Sequence, residues 1–396
     1  MLNLWNARGR SEAGRGSRLY RLMEELLEQA DIQLGGNRPW DIRPMQEDIA
    51  ERILANGNLG LGESYMAGAW ECDRLDQMFE RVLRARLHRR VRPIALIPHA
   101  LRAMLLNRQR GEKAWEVGEV HYDLGNDFYE AMLDPRMTYS CGYWAHAGDL
   151  VGAQDAKLEM ICQKLRLEPG MRVLDIGCGW GSFMAYAAEN HGVSCVGVTI
   201  SKEQAAWAQQ HYRHLPLKFR LQDYRSMNER FDRVVSVGMF EHVGRKNHRA
   251  YMEVAHRCLA DGGLFLLHTI GKNLRYSATD PWIDRYIFPN GDVPSIGQIG
   301  DACDEWFVVE DLHNFGADYD RTLLAWHSNF CRHWPRFRDR LGDRFFRMWQ
   351  YYLLSCAGAF RARELQLWQW VLSKNGVTGG YRRPVGNFGA SAPLAG

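Results

Sequence analysis

The sequence predicts an α/β protein in which a mostly parallel sheet is covered by helices on both faces and preceded by a small helical domain. Three observations predict it. From residue 171 onward, short β-rich runs alternate with amphipathic segments; before residue 117, apolar side chains recur at helical spacing; and the first β-rich run ends directly in a glycine-rich turn. With 396 residues, 46% hydrophobic and 24% charged, the chain is long enough to bury a large core in two domains.

In chain order, Leu19, Leu22, Met23 and Leu26 share one helical face, and "DRLDQMFERVL" repeats the spacing with Leu75, Met78, Phe79 and Val82. Residues 81–110 hold nine arginines and no acid, within a chain of net charge +3. Arginines interleaved with apolar residues suit a surface of anionic lipid headgroups; nucleic acid would attract the same charge, and a solvated basic helix face looks the same. Pro93 and Pro98 break the apolar run "PIALIPHALRAMLL", and no segment reaches the roughly 18 apolar residues of a membrane span. The opening "MLNLWNARGRSEAGRG" has no apolar core of signal-peptide length. These features divide the chain into a helical domain over 1–108, a linker over 109–120, and a main domain over 121–396 that ends in a flexible tail, "YRRPVGNFGASAPLAG". Nine scattered cysteines, never spaced Cys-x-x-Cys, argue against a disulfide framework or a thiolate metal site and fit a reduced, cytoplasmic compartment.

In the main domain the expected strands are "RVLDIG", "SCVGVTI", "LKFRLQDY", "DRVVSVGM" and "LFLLHTIG". The first runs into "CGWGSF", which places Gly177, Gly179 and Gly181 at a strand-to-helix turn, where such a sheet presents its ligand crevice. Glycine there permits positive φ and a close backbone approach, although a turn that only packs helix on strand uses it too. The spacing is Gly-x-Gly-x-Gly, not the Gly-x-Gly-x-x-Gly of dinucleotide sites, and the next strand ends "GVTIS" without an acid for a ribose. A ligand with a sugar but no phosphates is favoured, S-adenosylmethionine foremost, with Asp175 as the acidic member of a methyltransferase motif. Ser201 and Gln204 fit a Ser-x-x-Gln capping box, so Gln204 reads equally as cap and as cofactor contact.

Beyond the glycine turn, "YDLGNDFYEAMLDPRMTYSCGYW", "SVGMFEHVG", "PWIDRYIFPNG", "NFGADYDRTLLAW" and "CAGAFRAR" fall in order over about residues 117–370. Together with "VLDIGCGWGSF", "VGVTISKEQ" and "LLHTIG", they resemble the S-adenosylmethionine-dependent cyclopropane fatty acid synthase family. The resemblance implies a Rossmann-like class I methyltransferase domain with a mostly parallel, seven-stranded sheet. It implies transfer of a methylene from S-adenosylmethionine to the cis double bond of unsaturated acyl chains in membrane phospholipids, forming a cyclopropane ring. By motif, the cofactor site would comprise Tyr139, Ser140, Gly177, Cys178, Gly179, Gly181, Thr199, Gln204, Gln222 and Asp223, beside Asp175. The resemblance also implies a bicarbonate ion as general base, held by Cys141, Glu241, His268, Ile270 through its backbone, and Tyr319, with Cys356 as a second-rank active-site residue and no metal. A homodimer acting peripherally at the inner face of the membrane, on anionic lipid and without nucleic acid, completes the expectation.

Methyl transfer from a sulfonium to an alkene requires alignment in a dry apolar slot, then a base to remove a proton from the transferred methyl. His268, Tyr319 and backbone N–H groups suit donation to an anion, and ionised Glu241 suits acceptance of its hydroxyl. Singly, Glu241 and His242 also read as the cap of the next helix, and His268 as a satisfied core histidine. Both strands, however, end on the crevice side marked by the glycine turn. Tyr139, Tyr143 and Trp144 suit a cation through their π faces or simply fill the core. Cys141, in "MTYSCGYW", has no feature of a lowered-pKa thiolate and reads as a small wall of the anion site. The competing readings are a lipid C-methyltransferase making methyl-branched or methylene chains without ring closure, and a non-catalytic protein that binds anionic lipid; retention of the bicarbonate positions favours ring closure.

Overall fold

The computed structural model describes residues 17–90, 124–275, 279–386 and 388. The expected linker, Pro93, Pro98 and most of the arginine-rich stretch lie outside the described residues. The N-terminal part comprises α1 (Arg18–Glu28), β1 (Arg43–Pro44), α2 (Ile49–Asn56), α3 (Asn58–Met66), β2 (Trp70–Glu71) and α4 (Leu75–Arg84), with β1 and β2 forming a two-stranded ribbon. In α4, Leu75, Met78 and Phe79 are buried as the spacing predicts. In α1 the buried face is instead Tyr20, Met23 and Leu27, with Leu19, Leu22 and Leu26 half-buried. Both sets obey helical periodicity, and the bulky Tyr20 ring takes the inward place.

The main sheet is built from β3 (Arg172–Ile176), β4 (Ser194–Thr199), β5 (Leu217–Leu221), β6 (Phe231–Val237), β7 (Leu259–Lys272), β8 (Val308–Asn314) and β9 (Leu365–Ser373), in the order β5-β4-β3-β6-β7-β9-β8. The five strands β3 to β7 are parallel; β9 enters antiparallel between β7 and β8. This is the mostly parallel, seven-stranded sheet that the family resemblance implies; the five expected runs are β3 to β7, and β8 and β9 are additional. Central strands such as β3 are buried at all but their first residue, as expected where helices cover both faces. The expected strand "LKFRLQDY" stops at Leu221, because the Asp223 carboxylate accepts from the Arg225 N–H (2.9 Å) and winds residues 224–226 into a 3-10 turn. Strand order reverses at β3, so the ligand crevice of the sheet falls at its C-terminal end.

Five helices frame the site: α5 (Asn126–Met132), α6 (Leu150–Lys164), α7 (Ser182–His191), α8 (Lys202–His211) and α9 (His248–Cys258). They are followed by α10 (Pro281–Tyr286), α11 (Ile296–Cys303), α12 (Asp318–His333) and α13 (Arg338–Arg361), the last interrupted at Gly342, whose φ is +74°. The N-terminal helices share one apolar core with α12 and α13. Phe79 meets Tyr351 edge-on at 5.1 Å, and Trp282 packs on Tyr351 at 4.4 Å. Helix α13 lies so close to α4 that a Cβ on Gly358 would stand 2.6 Å from the Asp76 carbonyl oxygen. Arg361 bridges buried Asp76 (2.9 Å) and Asp320 (2.8 Å) across that seam. At the other end of the chain, Arg383 pairs with Asp311, Tyr381 donates to the Lys164 carbonyl (2.9 Å), and Phe388 is buried; residues 389–396 lie outside the description. Among the described residues no helix is long and apolar enough to cross a membrane.

Candidate active site

The glycine turn after β3 forms the floor of a largely apolar cavity. Gly177, Gly179 and Gly181 all have positive φ (+87°, +53°, +83°), for different reasons. A Cβ on Gly177 would strike Met239 at 2.5 Å and one on Gly181 the Phe219 ring at 2.6 Å, whereas Gly179 faces open space. Gly181 therefore shapes the turn and begins α7 without lining the cavity, while Gly177, Cys178 and Gly179 do line it. So do Tyr139, Ser140, Asp175, Thr199, Gln204, Gln222 and Asp223, which gathers every other expected cofactor residue in one place. Ser201 caps α8 by accepting from Gln204 N–H (3.3 Å), but the Gln204 side chain lies beside the Thr199 hydroxyl (3.5 Å), so the reciprocal half of the capping box is absent. Asp223 is paired with Arg225. Met137, Leu158, Trp180, Ile287 and Phe288 make the rest of the wall largely apolar.

The segment carrying Tyr139, Ser140 and Cys141 is held as a strap. Asp134 accepts from the backbone N–H of Arg136 (3.0 Å) and Thr138 (2.9 Å), turning the chain at Met137, whose φ is +60°. From α6, Gln154 donates to the Ser140 carbonyl (2.8 Å); from α12, Thr322 and Asp318 accept from the N–H groups of Gly142 (3.1 Å) and Trp144 (2.7 Å). Tyr139 shares a 3.0 Å hydroxyl contact with Tyr352.

None of the expected bicarbonate residues, Cys141, Glu241, His268, Ile270 and Tyr319, lines this cavity, and neither does Cys356. Glu241 does not cap a helix: its Oε1 accepts from the Ile270 N–H on β7 at 2.6 Å, while its buried Oε2 has no partner. Burial pushes the Glu241 carboxyl up to about 7, opposed mainly by that N–H. His268, two residues earlier on the same strand, is half satisfied: Nδ1 faces Gln369 Nε2 at 3.2 Å and buried Nε2 has no partner. Burial, then the charges of Lys157 and Lys164, hold the His268 ring well below its ordinary value, so it is neutral. The Tyr319 hydroxyl is pushed far up, first by burial and then by the charges of Cys141, Tyr139, Glu241 and Cys356. Its ring stacks on Phe360 at 4.5 Å. Cys356 is half-buried, and burial raises its thiol to about 12.

Against this geometry stand the similarities to known proteins. The family described as mycolic acid cyclopropane synthetase matches residues 109–370, and the cyclopropane-fatty-acyl-phospholipid synthase of Escherichia coli strain K12 is 54% identical over 370 residues, 92% of this chain and 95% of the relative. The chain belongs to the cyclopropane synthetase family. Among solved structures, the cyclopropane synthase MmaA2 from Mycobacterium tuberculosis is 33% identical with a TM-score of 0.63, over 66% of this chain and 98% of that one. The mycolic acid cyclopropane synthase CmaA1 complexed with SAH and CTAB is 32% identical with a TM-score of 0.62, over the same shares. This family member is thus an enzyme of the methyltransferase class, with the class I fold.

Sequence reasoning missed three polar residues of this cyclopropane synthetase. Lys157, 1% exposed on α6, donates to the Ser140 hydroxyl at 2.9 Å. Burial brings its ammonium down to about 8, offset by Asp134, Cys141 and Asp175. In return Lys157 tempers Asp175, which burial lifts to about 7 and whose Oδ1 has no partner. Lys164, fully buried about two turns further along the same helical face, donates to Gln369 Oε1 at 2.8 Å. Lysines at the end of "LVGAQDAKLEMICQK" look solvated; only their facing strands reveal otherwise.

Cys141 is 0% exposed, and burial followed by Asp318 holds its thiol well above the ordinary value. Alkylation of the native enzyme by iodoacetamide at pH 8, followed by peptide mass spectrometry, is therefore expected to leave Cys141 unmodified, and Cys141→Ala to retain part of the activity. Rapid labelling, or complete inactivation of a folded, cofactor-binding alanine variant, would restore the nucleophile reading.

Proposed function

We propose that the enzyme adds a methylene from S-adenosylmethionine across the cis double bond of unsaturated acyl chains in membrane phospholipids, closing a cyclopropane ring, with bicarbonate as the base. The observation that carries this reading is the pair of buried atoms without partners, Glu241 Oε2 and His268 Nε2, behind a largely apolar cavity floored by the glycine turn. A carboxylate acceptor and ring and phenol donors match an anion that has one hydroxyl to donate and further oxygens to accept with. Tyr139, Ser140, Gly177 to Gly179, Thr199, Gln204, Gln222, Asp223 and Asp175 are the residues to hold the sulfonium cofactor, with Gly181 shaping their turn. Cys141, Glu241, His268 and Tyr319 are those to hold the anion, Ile270 acting through its N–H to fix the Glu241 carboxylate, with Cys356 as a second-rank residue.

When bound, S-adenosylmethionine supplies the methyl carbon and bicarbonate the basic oxygen. The chain's own residues do the rest. Met137, Leu158, Trp180, Ile287 and Phe288 exclude water from the reacting carbons, and Tyr139 offers a π face to positive charge. Glu241 holds the Ile270 N–H with one oxygen and leaves the other as acceptor, and the Tyr319 hydroxyl, kept protonated by its surroundings, remains a donor. The net change adds one carbon with three hydrogens and releases one proton. The arginines of residues 81–110 suit peripheral binding to the anionic inner leaflet, and the family resemblance favours lipid over nucleic acid and a homodimer in the cytoplasm.

Incubation with S-adenosylmethionine and vesicles of unsaturated phospholipid, with and without anionic lipid, tests the reading. Mass spectrometry is expected to show acyl chains heavier by one methylene that resist catalytic hydrogenation, formed faster on the anionic vesicles. Unchanged alkenes from folded enzyme would sink it, and products that take up hydrogen would favour a methylene-forming enzyme without ring closure.

A further inference from the structure

The strand register aligns three side chains that no sequence motif connects. His268 on β7 is paired directly with Gln369 on β9, and Gln369 directly with His313 on β8, so a His–Gln–His row crosses three neighbouring strands. Directly opposed residues stand close enough for their side chains to meet. Fully buried Lys164, from α6, donates to Gln369 Oε1 at 2.8 Å and lies 3.0 Å from His313 Nδ1, with Asp311 at 3.9 Å as its nearest carboxylate.

An ammonium group donates and never accepts. Below about pH 7, to which burial brings the Lys164 group, its ammonium therefore requires the carbonyl end of the Gln369 amide, which leaves the NH₂ end, itself only a donor, against His268 Nδ1 at 3.2 Å. Two donors cannot face each other, so Nδ1 carries no proton. In a neutral imidazole the proton then sits on Nε2, the buried atom with no partner among the described residues. We infer that Gln369, oriented by Lys164, is a positioning residue that fixes His268 as the Nε2–H tautomer, so that the ring offers a donor to the anion shared with Glu241. The inference rests on the bicarbonate reading only in its last clause.

The tautomer is measurable without turnover. In the full-length enzyme labelled with ¹⁵N-histidine, long-range ¹H–¹⁵N correlation distinguishes the pyrrole-type from the pyridine-type nitrogen, and His268→Gln identifies the resonances. The expected pattern is pyrrole-type Nε2 and pyridine-type Nδ1. Gln369→Glu, which presents an acceptor to Nδ1, is expected to move the proton to Nδ1 and to lower kcat by about tenfold, the size of one hydrogen bond to a charged group, with KM for S-adenosylmethionine little changed. Lys164→Met, which removes a buried charge and releases the amide to rotate, is expected to show both tautomers, so the inference stays testable even if the glutamate variant misfolds. A protonated Nδ1 in the wild type, or an unmixed tautomer in Lys164→Met, overturns it. A tautomer that switches in Gln369→Glu while bicarbonate-dependent turnover stays at the wild-type rate overturns instead the anion's place at His268.

Discussion

Replacing Glu241 by glutamine is expected to lower turnover by about 10²–10³-fold, in the range of a lost acid–base group, while making the ligand-free protein more stable at pH 8. Burial lifts this carboxyl from 4.5 to about 7, so the native state retains a proton that the unfolded chain has already released. The stability contributed by that retained proton is complete below about pH 4.5 and is lost as pH rises through about 7. The loss is on the order of 3 kcal/mol, and a glutamine, which does not ionise, avoids it. Its amide oxygen can still accept from the Ile270 N–H, so the local fold survives. Thermal unfolding of both proteins should show a gap at pH 8 that has mostly closed by pH 5. A glutamine variant that is less stable at pH 8, or that turns over at the wild-type rate, would remove Glu241 from the anion site.

Deleting residues 1–115 is expected to yield an aggregated protein instead of a soluble enzyme that has lost only its membrane contact. The sequence divides the chain near residue 109, yet the N-terminal helices bury their aromatic residues in the same core as α12 and α13. Without them fully buried Tyr351 loses Phe79 and Tyr65 as neighbours, fully buried Trp282 loses the backbone at Gly62 that covers its ring, and Arg361 loses Asp76. Each buried aromatic contributes several kcal/mol through roughly 150–250 Å² of surface, so the deletion removes an amount comparable with the whole stability of a domain. Analytical ultracentrifugation of the truncated chain checks this. A monodisperse fragment that binds S-adenosylmethionine would show that the shared core is dispensable. Membrane binding is accordingly better tested by arginine substitutions in the full chain.

What could be read in the sequence follows the range of the interactions involved. Gly177 to Gly181 form a local motif, and their positive φ and position after a strand are as expected, because a turn of five residues carries its own geometry. Glu241 and His268 were placed on the crevice side from the ends of their strands alone. The choice between capping and an anion contact was not local: it depends on Ile270 N–H, 29 residues away, receiving the carboxylate. Lys157 and Lys164 were invisible because a lysine on an amphipathic helix is ordinarily solvated. Gln369 was invisible because its importance comes from the pairing of β9 with β7, about a hundred residues apart. The buried face of α1 shows a subtler limit, since two apolar sets satisfied the same period and only packing selected between them.

Because β9 threads between β7 and β8, the two halves of the site are completed at different moments of synthesis. The glycine turn and its strands β3 to β6 are made by residue 237, and the rest of the cavity wall, Ile287 and Phe288, with the α12 residues Asp318 and Thr322 that hold the strap, follows well before β9. The partner of His268 arrives 101 residues after it, close to the end of the chain. A ribosome-bound chain that stops before residue 365 therefore carries a formed cofactor crevice beside an open β7 edge, with Glu241 in place but His268 free to adopt either tautomer. Until that last strand closes the sheet, β7 is the edge most in need of chaperone cover.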